Sequence, residues 1–299
     1  MKILITGANG LLGQKLIEYY EVDPKMQVIA TGKEANRNQD GSYKYLTLDI
    51  TSKADVNSVI GMSMPDVVIN AAAMTNVDAC EMEKEACWDL NVKAVEYLIK
   101  ACETYGSKLI HLSTDFIFDG ENGPYEEDDW TNPQSHYAKS KLASEELFKN
   151  TYIKWAIVRT MLVYGIAQDM NRSNIILWAK QNLEEGKQIS VVNDQWRTPT
   201  LAEDLAKGCA LVIEKKATGI FHISGKDTLT PYDMAIQTAA FFKLNPSLIQ
   251  EVDGSVFSQL AKRPQRTGFI LDKARRQLGY EPHSFAEGLE ILRSQIGDA

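Results

Sequence analysis

The 299-residue sequence predicts an α/β fold whose centre is a doubly wound parallel sheet. Short apolar runs alternate with helical patterns through the first half of the chain. The runs are nearly unbroken by polar residues, as expected of strands that are buried on both faces. The first run also leads directly into a glycine-rich turn and a helical pattern, which is how a βα unit begins.

The first half of the chain contains six predicted strands and four predicted helices. The strands are KILIT (2–6), QVIAT (27–31), YLTLD (45–49), DVVINAA (66–72), SKLIHLS (107–113) and KWAIVRT (154–160). The helices cover residues 11–21, 53–61, 83–105 and 135–150. The third helix is expected to end at Tyr105 because Gly106 is a natural C-cap.

After Gly165 the alternation becomes less regular. Residues 171–194 predict a helix followed by a strand, 202–216 predict a helix, and 219–225 predict another strand. Helices and loops follow from residue 226. We therefore expect residues 1–165, completed by 202–224, to form one domain, and residues 166–201 with 225–299 to form a smaller interleaved C-terminal lobe.

Composition excludes several classes of function. A net charge of -8 and the lack of a long basic run argue against nucleic acid or a membrane surface as the main partner. The apolar run at the N-terminus is too short for a signal segment or a membrane span. The four cysteines have no metal-ligand spacing, and they predict reduced thiols in a cytoplasmic protein.

The turn ITGANGLLG predicts a dinucleotide site. Gly7 permits the tight turn, Gly10 lets the backbone approach a pyrophosphate, and Gly13 lets the helix pack closely on the sheet. The free amides at the helix start, at Leu11 and Leu12, then face the phosphates. Residues 1–165 are thus expected to form a Rossmann-type dinucleotide-binding domain.

The end of the second predicted strand indicates which dinucleotide binds. An acidic side chain there would favour NAD, whereas this chain has Lys33 and, nearby, Arg37. We expect these cations to bind a 2′-phosphate, so NADP(H) is preferred and NAD(H) is the alternative; two solvated cations in a loop remain the other interpretation. Asp49 and Ile50 are expected to flank the adenine.

The segment NAAAMT follows the fourth predicted strand. Its small residues, beginning with Ala71, would let a cofactor lie close to the backbone, although alanines also serve ordinary tight packing.

Tyr137 and Lys141 are spaced to lie on the same face of the fourth helix. A lysine charge about 4 Å from a phenol, at an effective dielectric of about 20, stabilises the phenolate by roughly 4 kcal/mol. We therefore expect Lys141 to lower the pKa of Tyr137. The simpler interpretation is a surface helix with a lysine at its edge.

Several motifs in this order resemble the extended short-chain dehydrogenase/reductase family. They are the glycine turn, NAAA at 70, LSTDFIF at 112 and the Tyr137-x-x-x-Lys141 pair. STDFIFDG, NDQWRTPT and KRPQRTGFILD are similar to the dTDP-4-dehydrorhamnose reductase branch, and the similarity covers nearly the whole chain.

The resemblance implies roles for particular residues. Tyr137 would be the catalytic acid, Lys141 its partner and ligand of the cofactor ribose, and Thr114 the hydroxyl that binds the reacting oxygen. Asp115 would lie against the substrate. Further cofactor contacts would come from Ala73, Met74 and Thr75.

The implied reaction is hydride transfer from the nicotinamide to the C4 keto group of a nucleotide-linked 4-keto-6-deoxysugar. The smaller lobe would bind this substrate, and a homodimer is left open. Two departures from the branch are visible. Leu162 stands where the rhamnose enzymes carry a tryptophan, which leaves the sugar open. Gln14 and Lys15 stand where magnesium-binding members carry glutamate, so we expect no metal.

Other enzyme classes of the same fold fit less well. The 4,6-dehydratases follow the threonine with Asp-Glu, whereas this chain has Asp115-Phe116, and epimerases carry an acid at the end of the second strand. The regulatory beta subunit of methionine adenosyltransferase, a binding protein, resembles the same branch and remains the alternative function. The four histidines lack ligand spacing, and His111, within an apolar strand, is expected to be a satisfied core histidine.

Overall fold

The structure, a computed structural model, describes residues 1–38, 41–169, 174–257 and 260–297. Its centre is a seven-stranded parallel sheet. The seven strands are β1 (Lys2–Thr6), β2 (Gln27–Gly32), β3 (Lys44–Thr47), β4 (Val67–Asn70), β5 (Lys108–Thr114), β6 (Trp155–Thr160) and, further along the chain, β10 (Gly219–His222). Their order across the sheet is β10-β6-β5-β4-β1-β2-β3.

The helices that flank the sheet follow the predicted alternation. They are α1 (Leu11–Glu21), α2 (Lys53–Ser63), α3 (Val77–Met82), α4 (Lys84–Trp88), α5 (Ala94–Tyr105), α6 (His136–Glu146) and α8 (Ala202–Glu214). The helical segment predicted over 83–105 is continuous from Lys84 to Tyr105, with a π-helical turn over Asp89–Lys93 between α4 and α5. The predicted helix 135–150 ends in a 3-10 turn over Leu147–Asn150.

Apolar side chains cover both faces of the sheet, which confirms the doubly wound α/β class. One core joins the sheet to α1 and α8, with Leu16 and Leu205 fully buried. The core of the opposite face joins the sheet to α2 and α5, with Ile60 and Leu98 fully buried. Because all seven strands are parallel, their carboxyl ends lie at one edge of the sheet, and the loops after β1, β4 and β5 meet there.

The remaining elements are smaller. They are β7 (Val163–Tyr164), α7 (Ile175–Glu184), β8 (Ile189–Val192), β9 (Thr200–Leu201), α9 (Pro231–Phe241), β11 (Ile249–Val252), α10 (Asp272–Leu278) and α11 (Phe285–Ile296). β8 pairs with β11, and α7 packs against α9 over Ala179 and Ala239. Residues 171–173, at the start of the predicted helix–strand segment, lie outside the described residues. The proposed division into two domains stays a prediction, although β10 pairs in parallel with β6.

In the part of the chain that the structure describes, no helix is long and apolar enough to cross a membrane.

The first turn of the fold depends on glycine at position 13. A Cβ built on Gly13 would lie 2.2 Å from the carbonyl oxygen of Gly7 and 2.7 Å from Cα of Ala8. Both neighbours are backbone atoms, so the clash can be relieved only by moving α1 away from β1.

We predict that Gly13→Ala lowers the free energy of unfolding by about 3 kcal/mol, because it overpacks a rigid junction. The matched control is Gly106→Ala, where φ is +77° but no atom lies within 4 Å of the added Cβ; it should cost about 1 kcal/mol from backbone strain alone. Urea unfolding of both variants measures the difference. Equal losses would show that the helix can shift without cost.

Candidate active site

The glycine turn has the conformation that a pyrophosphate site requires. Gly7 has φ +68°, and a Cβ there would lie 2.8 Å from the amide nitrogen of Ala72. Gly10 is the N-cap of α1 and has no side chain that could cap the helix. The amides of Leu11 and Leu12 therefore have no partner within the helix and are available to an anion. The residues present fit a dinucleotide phosphate.

The end of β2 has no room for a side chain. A Cβ on Gly32 would lie 2.5 Å from the hydroxyl oxygen of Tyr45. That hydroxyl donates to the carbonyl of Glu34 (2.6 Å) and accepts from the side-chain amide of Asn9 (3.2 Å). The acid that would bind an NAD ribose is replaced here by a tyrosine hydroxyl from β3.

The two predicted phosphate-binding cations each contact an acid. Lys33 Nζ lies 2.9 Å from Asp49 Oδ2, and the lysine side chain is 77% exposed. Arg37 Nη2 lies 2.8 Å from Glu34 Oε2, while its Nη1 donates to the carbonyl of Asp169 (3.0 Å). Arg37 is thus held in place, whereas Lys33 is free to change its partner.

The predicted adenine contacts have other neighbours in the structure. Asp49 accepts hydrogen bonds from the amide and hydroxyl of Thr51, in addition to its ion pair. Ile50 is buried in the core on the α2 face. Their contact with an adenine stays a prediction.

The loop after β4 is fixed by a residue that sequence reasoning missed. Asn91, in the π-helical turn, accepts from the amide of Met74 (2.8 Å) and donates to its carbonyl (3.0 Å). Asn91 Nδ2 also lies 3.0 Å from Ser140 Oγ on α6. The same side chain therefore ties the loop Ala71–Thr75 to the helix that carries Tyr137. Its sequence signal was weak, because one asparagine within a long helical pattern is unremarkable.

Tyr137 lies in an apolar cluster and is 9% exposed. Burial among Cys80, Cys87 and Phe116 raises its pKa; a hydrogen bond with Thr114 opposes this rise, and the nearby Asp115 adds to it. The pKa of Tyr137 is therefore raised overall, and the expectation that it is lowered is wrong for this structure. The phenol keeps its proton, because desolvation penalises the phenolate more than the surroundings stabilise it.

Lys141 is 2% exposed and its ammonium faces β5. Nζ donates to the carbonyl of Leu112 (2.7 Å) and lies 3.2 Å from Nε2 of His111. Burial lowers the pKa of Lys141 to about 8, and the charge of Glu145 opposes that change. His111 is buried and both of its ring nitrogens are paired, as expected of a satisfied core histidine, and its ring also contacts the predicted catalytic lysine.

Asp115 joins three motifs that are distant in sequence. It is 2% exposed, Thr267 donates a hydrogen bond to its Oδ2, and Nε of Arg197 lies 3.7 Å away from the same oxygen. Thr114 donates to its Oδ1 (3.1 Å). Burial raises the pKa of Asp115, and the Arg197 charge opposes the rise. NDQWRTPT and KRPQRTGFILD thereby meet STDFIFDG at the end of β5.

The region after Gly13 contains an ion cluster centred on a lysine. Lys15 Nζ lies 2.9 Å from Glu18 and 3.2 Å from Glu203, and the lysine is 6% exposed. Burial alone lowers the pKa of Lys15, but its bonds to Glu18 and Glu203 outweigh burial and the pKa is raised. The Lys15 ammonium thus supplies the positive charge that pairs with both glutamates. Within the described ranges, no three or more His, Cys, Asp or Glu residues are placed to hold a metal.

Comparison with known proteins bears on this geometry. Residues 1–296 match the family model described as the RmlD substrate binding domain. The chain belongs to this family. It is 32% identical over 306 residues to the dTDP-4-dehydrorhamnose reductase of Aggregatibacter actinomycetemcomitans, with 98% of each chain covered. The predicted branch of the extended short-chain dehydrogenase/reductase family is confirmed.

Two further relatives of this RmlD family are informative. A crystal structure of dTDP-4-dehydrorhamnose reductase from Bacillus anthracis in complex with NADP superposes with a TM-score of 0.84 at 28% identity, covering 97% of this chain and 98% of that one. Methionine adenosyltransferase 2 subunit beta of Danio rerio is 31% identical over 269 residues, covering 88% of this chain and 81% of the relative.

We predict that the melting temperature of the protein is the same in excess EDTA and in excess magnesium, because the Lys15 ammonium already neutralises Glu203. The positive control is Lys15→Glu, which places a third carboxylate beside Glu18 and Glu203. That variant should lose stability in EDTA and regain it with magnesium. Magnesium-dependent stability of the unmodified protein would show that a metal site exists elsewhere.

Proposed function

We propose that this protein uses NADPH to reduce the C4 keto group of a nucleotide-linked 4-keto-6-deoxysugar. The supporting observation is the meeting of Thr114, Tyr137 and Lys141 at the carboxyl end of β5, on the sheet edge that also carries the glycine turn. The relatives named as dTDP-4-dehydrorhamnose reductases support the same substrate class. Leu162, which has φ +41° and is 38% exposed, leaves the particular sugar open.

The chain's residues can hold each part of the dinucleotide. The amides at Leu11 and Leu12 suit the pyrophosphate, Arg37 and Lys33 suit a 2′-phosphate, and Lys141 suits the nicotinamide ribose. NADP in the Bacillus anthracis relative supports this choice, with NAD as the alternative. When bound, the reduced nicotinamide supplies the hydride.

Tyr137 acts as the general acid in this proposal. Reduction of a ketone places negative charge on the C4 oxygen, and a neutral phenol can donate its proton there. The raised pKa of Tyr137 keeps the acid form loaded at neutral pH. A charged Lys141 one helical turn away then favours proton loss in the transition state, when the phenolate develops.

Thr114 and Asp115 prepare the oxygen-binding side of the site. The Thr114 hydroxyl donates to Asp115, which orients it before the substrate arrives, and it lies close enough to Tyr137 to oppose the rise in the pKa of the phenol. Arg197 and Thr267 bind Asp115 from residues 166–201 and 225–299, which we propose as the substrate lobe. The four buried, unpaired cysteines support a cytoplasmic protein.

The alternative function is that of a dinucleotide-binding regulatory subunit, as in the methionine adenosyltransferase relatives. Such a subunit has no need of a proton donor, whereas the presence of Thr114, Tyr137 and Lys141 together permits catalysis. Co-purification with a synthetase, without turnover of any 4-keto sugar nucleotide, would favour the regulatory function.

We predict that Tyr137→Phe lowers turnover by about 10² to 10⁴, because it removes only the proton donor. NADPH oxidation is measured against a panel of sugar nucleotides that a 4,6-dehydratase has converted to 4-keto forms. The matched control is Tyr20→Phe. Tyr20 is 2% exposed, and its hydroxyl has no hydrogen-bond partner among the described residues. Near-normal turnover of Tyr137→Phe would contradict the assignment of the acid.

NADPH is expected to bind about tenfold more tightly than NADH, because a charge-assisted phosphate contact is strong enough to produce that preference. Lys33→Ala combined with Arg37→Ala should remove the preference and leave NADH affinity unchanged. The control is Lys25→Ala, because Lys25 is an exposed lysine near the opposite end of β2. Tryptophan-fluorescence titration measures all six affinities, those of NADPH and NADH for the unmodified protein, the double variant and the control. Equal affinity for the two dinucleotides in the unmodified protein would refute the prediction.

A further inference from the structure

Both ring nitrogens of His111 contact specific polar groups. The residue is 1% exposed and lies three positions before Thr114 in β5. Its Nδ1 is 3.1 Å from Nδ2 of Asn70 on β4. Its Nε2 is 3.0 Å from Ser144 Oγ and 3.2 Å from Lys141 Nζ, both on α6. The ring therefore bridges the centre of the sheet and the helix of the candidate acid.

A row of buried neutral groups continues from His111 into the sheet. Asn70 Oδ1 is 2.6 Å from the Thr6 hydroxyl on β1, and Thr6 Oγ1 accepts from the amide of Ala72 (3.4 Å). Thr6 is fully buried and Asn70 is 1% exposed. A row of such groups inside a sheet is costly unless every member is paired. Here each member is paired, and the row ends on the Lys141 ammonium.

The directions of the Lys141 hydrogen bonds show how His111 limits the rotation of the ammonium. An ammonium has three N–H donors, of which one is used by the carbonyl of Leu112 and a second faces His111 Nε2. Fixing two donors on β5 fixes the direction of the third. Without His111, the ammonium could rotate about its bond to Leu112.

We propose that His111 is a positioning residue for Lys141, whose ring nitrogen accepts one N–H of the ammonium and holds it charged and oriented toward the dinucleotide. This proposal rests on the proposed catalytic role of Lys141. It adds His111, which takes no part in the proposed reaction itself. His111 itself touches neither the candidate acid nor the glycine turn.

The proposed hydrogen bond from Lys141 requires one particular tautomer of the His111 ring. Nε2 can accept from Lys141 only in the tautomer that carries its proton on Nδ1. Nδ1–H then donates to the side-chain oxygen of Asn70, which requires the Asn70 amide to be turned over from the orientation in which its Nδ2 faces Nδ1 and its Oδ1 accepts from Thr6. The Ser144 hydroxyl donates to the carbonyl of Lys141 (2.7 Å), which leaves Nε2 to the ammonium. The ring stays neutral, since burial and the Lys141 charge lower the pKa of His111 well below its usual value.

Lys141 has few other charged or titratable neighbours. Glu145 lies one turn further along α6 and is neutralised by Arg159 of β6 (2.8 Å). Cys87 of α4 and Tyr137 of α6 complete the set, and both are buried. Because burial already brings the pKa of Lys141 down to about 8, loss of an acceptor should lower it further.

The sign of the pH effect follows from this environment. The charged form of Lys141 is present below its pKa and is lost as pH rises through it. Activity that needs the ammonium therefore falls on the basic side of the pH profile. Removal of the His111 acceptor should move that fall to lower pH by about one unit, the size expected for one hydrogen bond to a charged group.

The test compares the pH dependence of kcat/KM for the unmodified protein, His111→Leu and His111→Gln. Leucine removes the acceptor, so the basic limb should shift down by about one pH unit. Glutamine offers a side-chain oxygen in place of Nε2, so its limb should stay near that of the unmodified protein. A purely structural histidine would change the amplitude and the melting temperature of both variants without moving the limb; that outcome would overturn the proposal.

A second measurement does not depend on turnover. Long-range ¹⁵N NMR of the histidine rings, with His111→Gln identifying the His111 signals, should show unprotonated Nε2 at neutral pH. The Nε2 signal should change as Lys141 titrates, and that change should be absent in Lys141→Met. A protonated Nε2 throughout would overturn the proposal even if Tyr137→Phe abolishes turnover. This measurement also decides the matter if His111→Leu does not fold.

Discussion

The burial of the Lys141 ammonium is the constraint on which the site depends. A charged group inside a protein must be matched by acceptors, and Lys141 has the carbonyl of Leu112 and the ring of His111, both on β5. These contacts fix α6 against β5. Tyr137, one turn earlier on the same helix, is thereby held above the end of β5, where Thr114 lies. The position of the candidate acid follows from the position of the lysine.

A second buried charge connects the sheet to the later part of the chain. Asp115 is bound by Arg197 and Thr267, which come from two separate segments. The guanidinium of Arg197 is itself held by the carbonyls of Pro264 (2.5 Å), Gln265 (3.0 Å) and Trp196 (2.8 Å). Breaking such a pair would leave an unmatched charge in the interior, so the arrangement is maintained at a considerable desolvation cost. Function is the simplest reason for keeping a carboxylate there.

The protonation states of the two central groups suit a reduction. Burial raises the pKa of Tyr137 and lowers that of Lys141, so desolvation disfavours the charged form of each. A raised pKa keeps the phenol protonated at neutral pH, but it also makes the phenol a weaker proton donor. Net charge then has to develop only in the transition state, where a preorganised ammonium is most effective.

The sequence by itself determined the α/β class, the positions of the first six strands along the chain, the glycine turn and the family. These features are set by local patterns: apolar runs, glycine spacing and short motifs whose meaning does not depend on distant residues. It also correctly put Tyr137 and Lys141 on one helix, because positions four apart share a face.

Only the tertiary structure decided how these groups behave. The pKa of Tyr137 depends on what buries it, and Cys80, Cys87 and Asp115 are brought there by chain folding. The pairing of Lys141 with His111, separated by 30 residues, and of Asp115 with Thr267, separated by 152, has no local signal. Electrostatic environment is a property of neighbours in space, and a single sequence lists only neighbours along the chain.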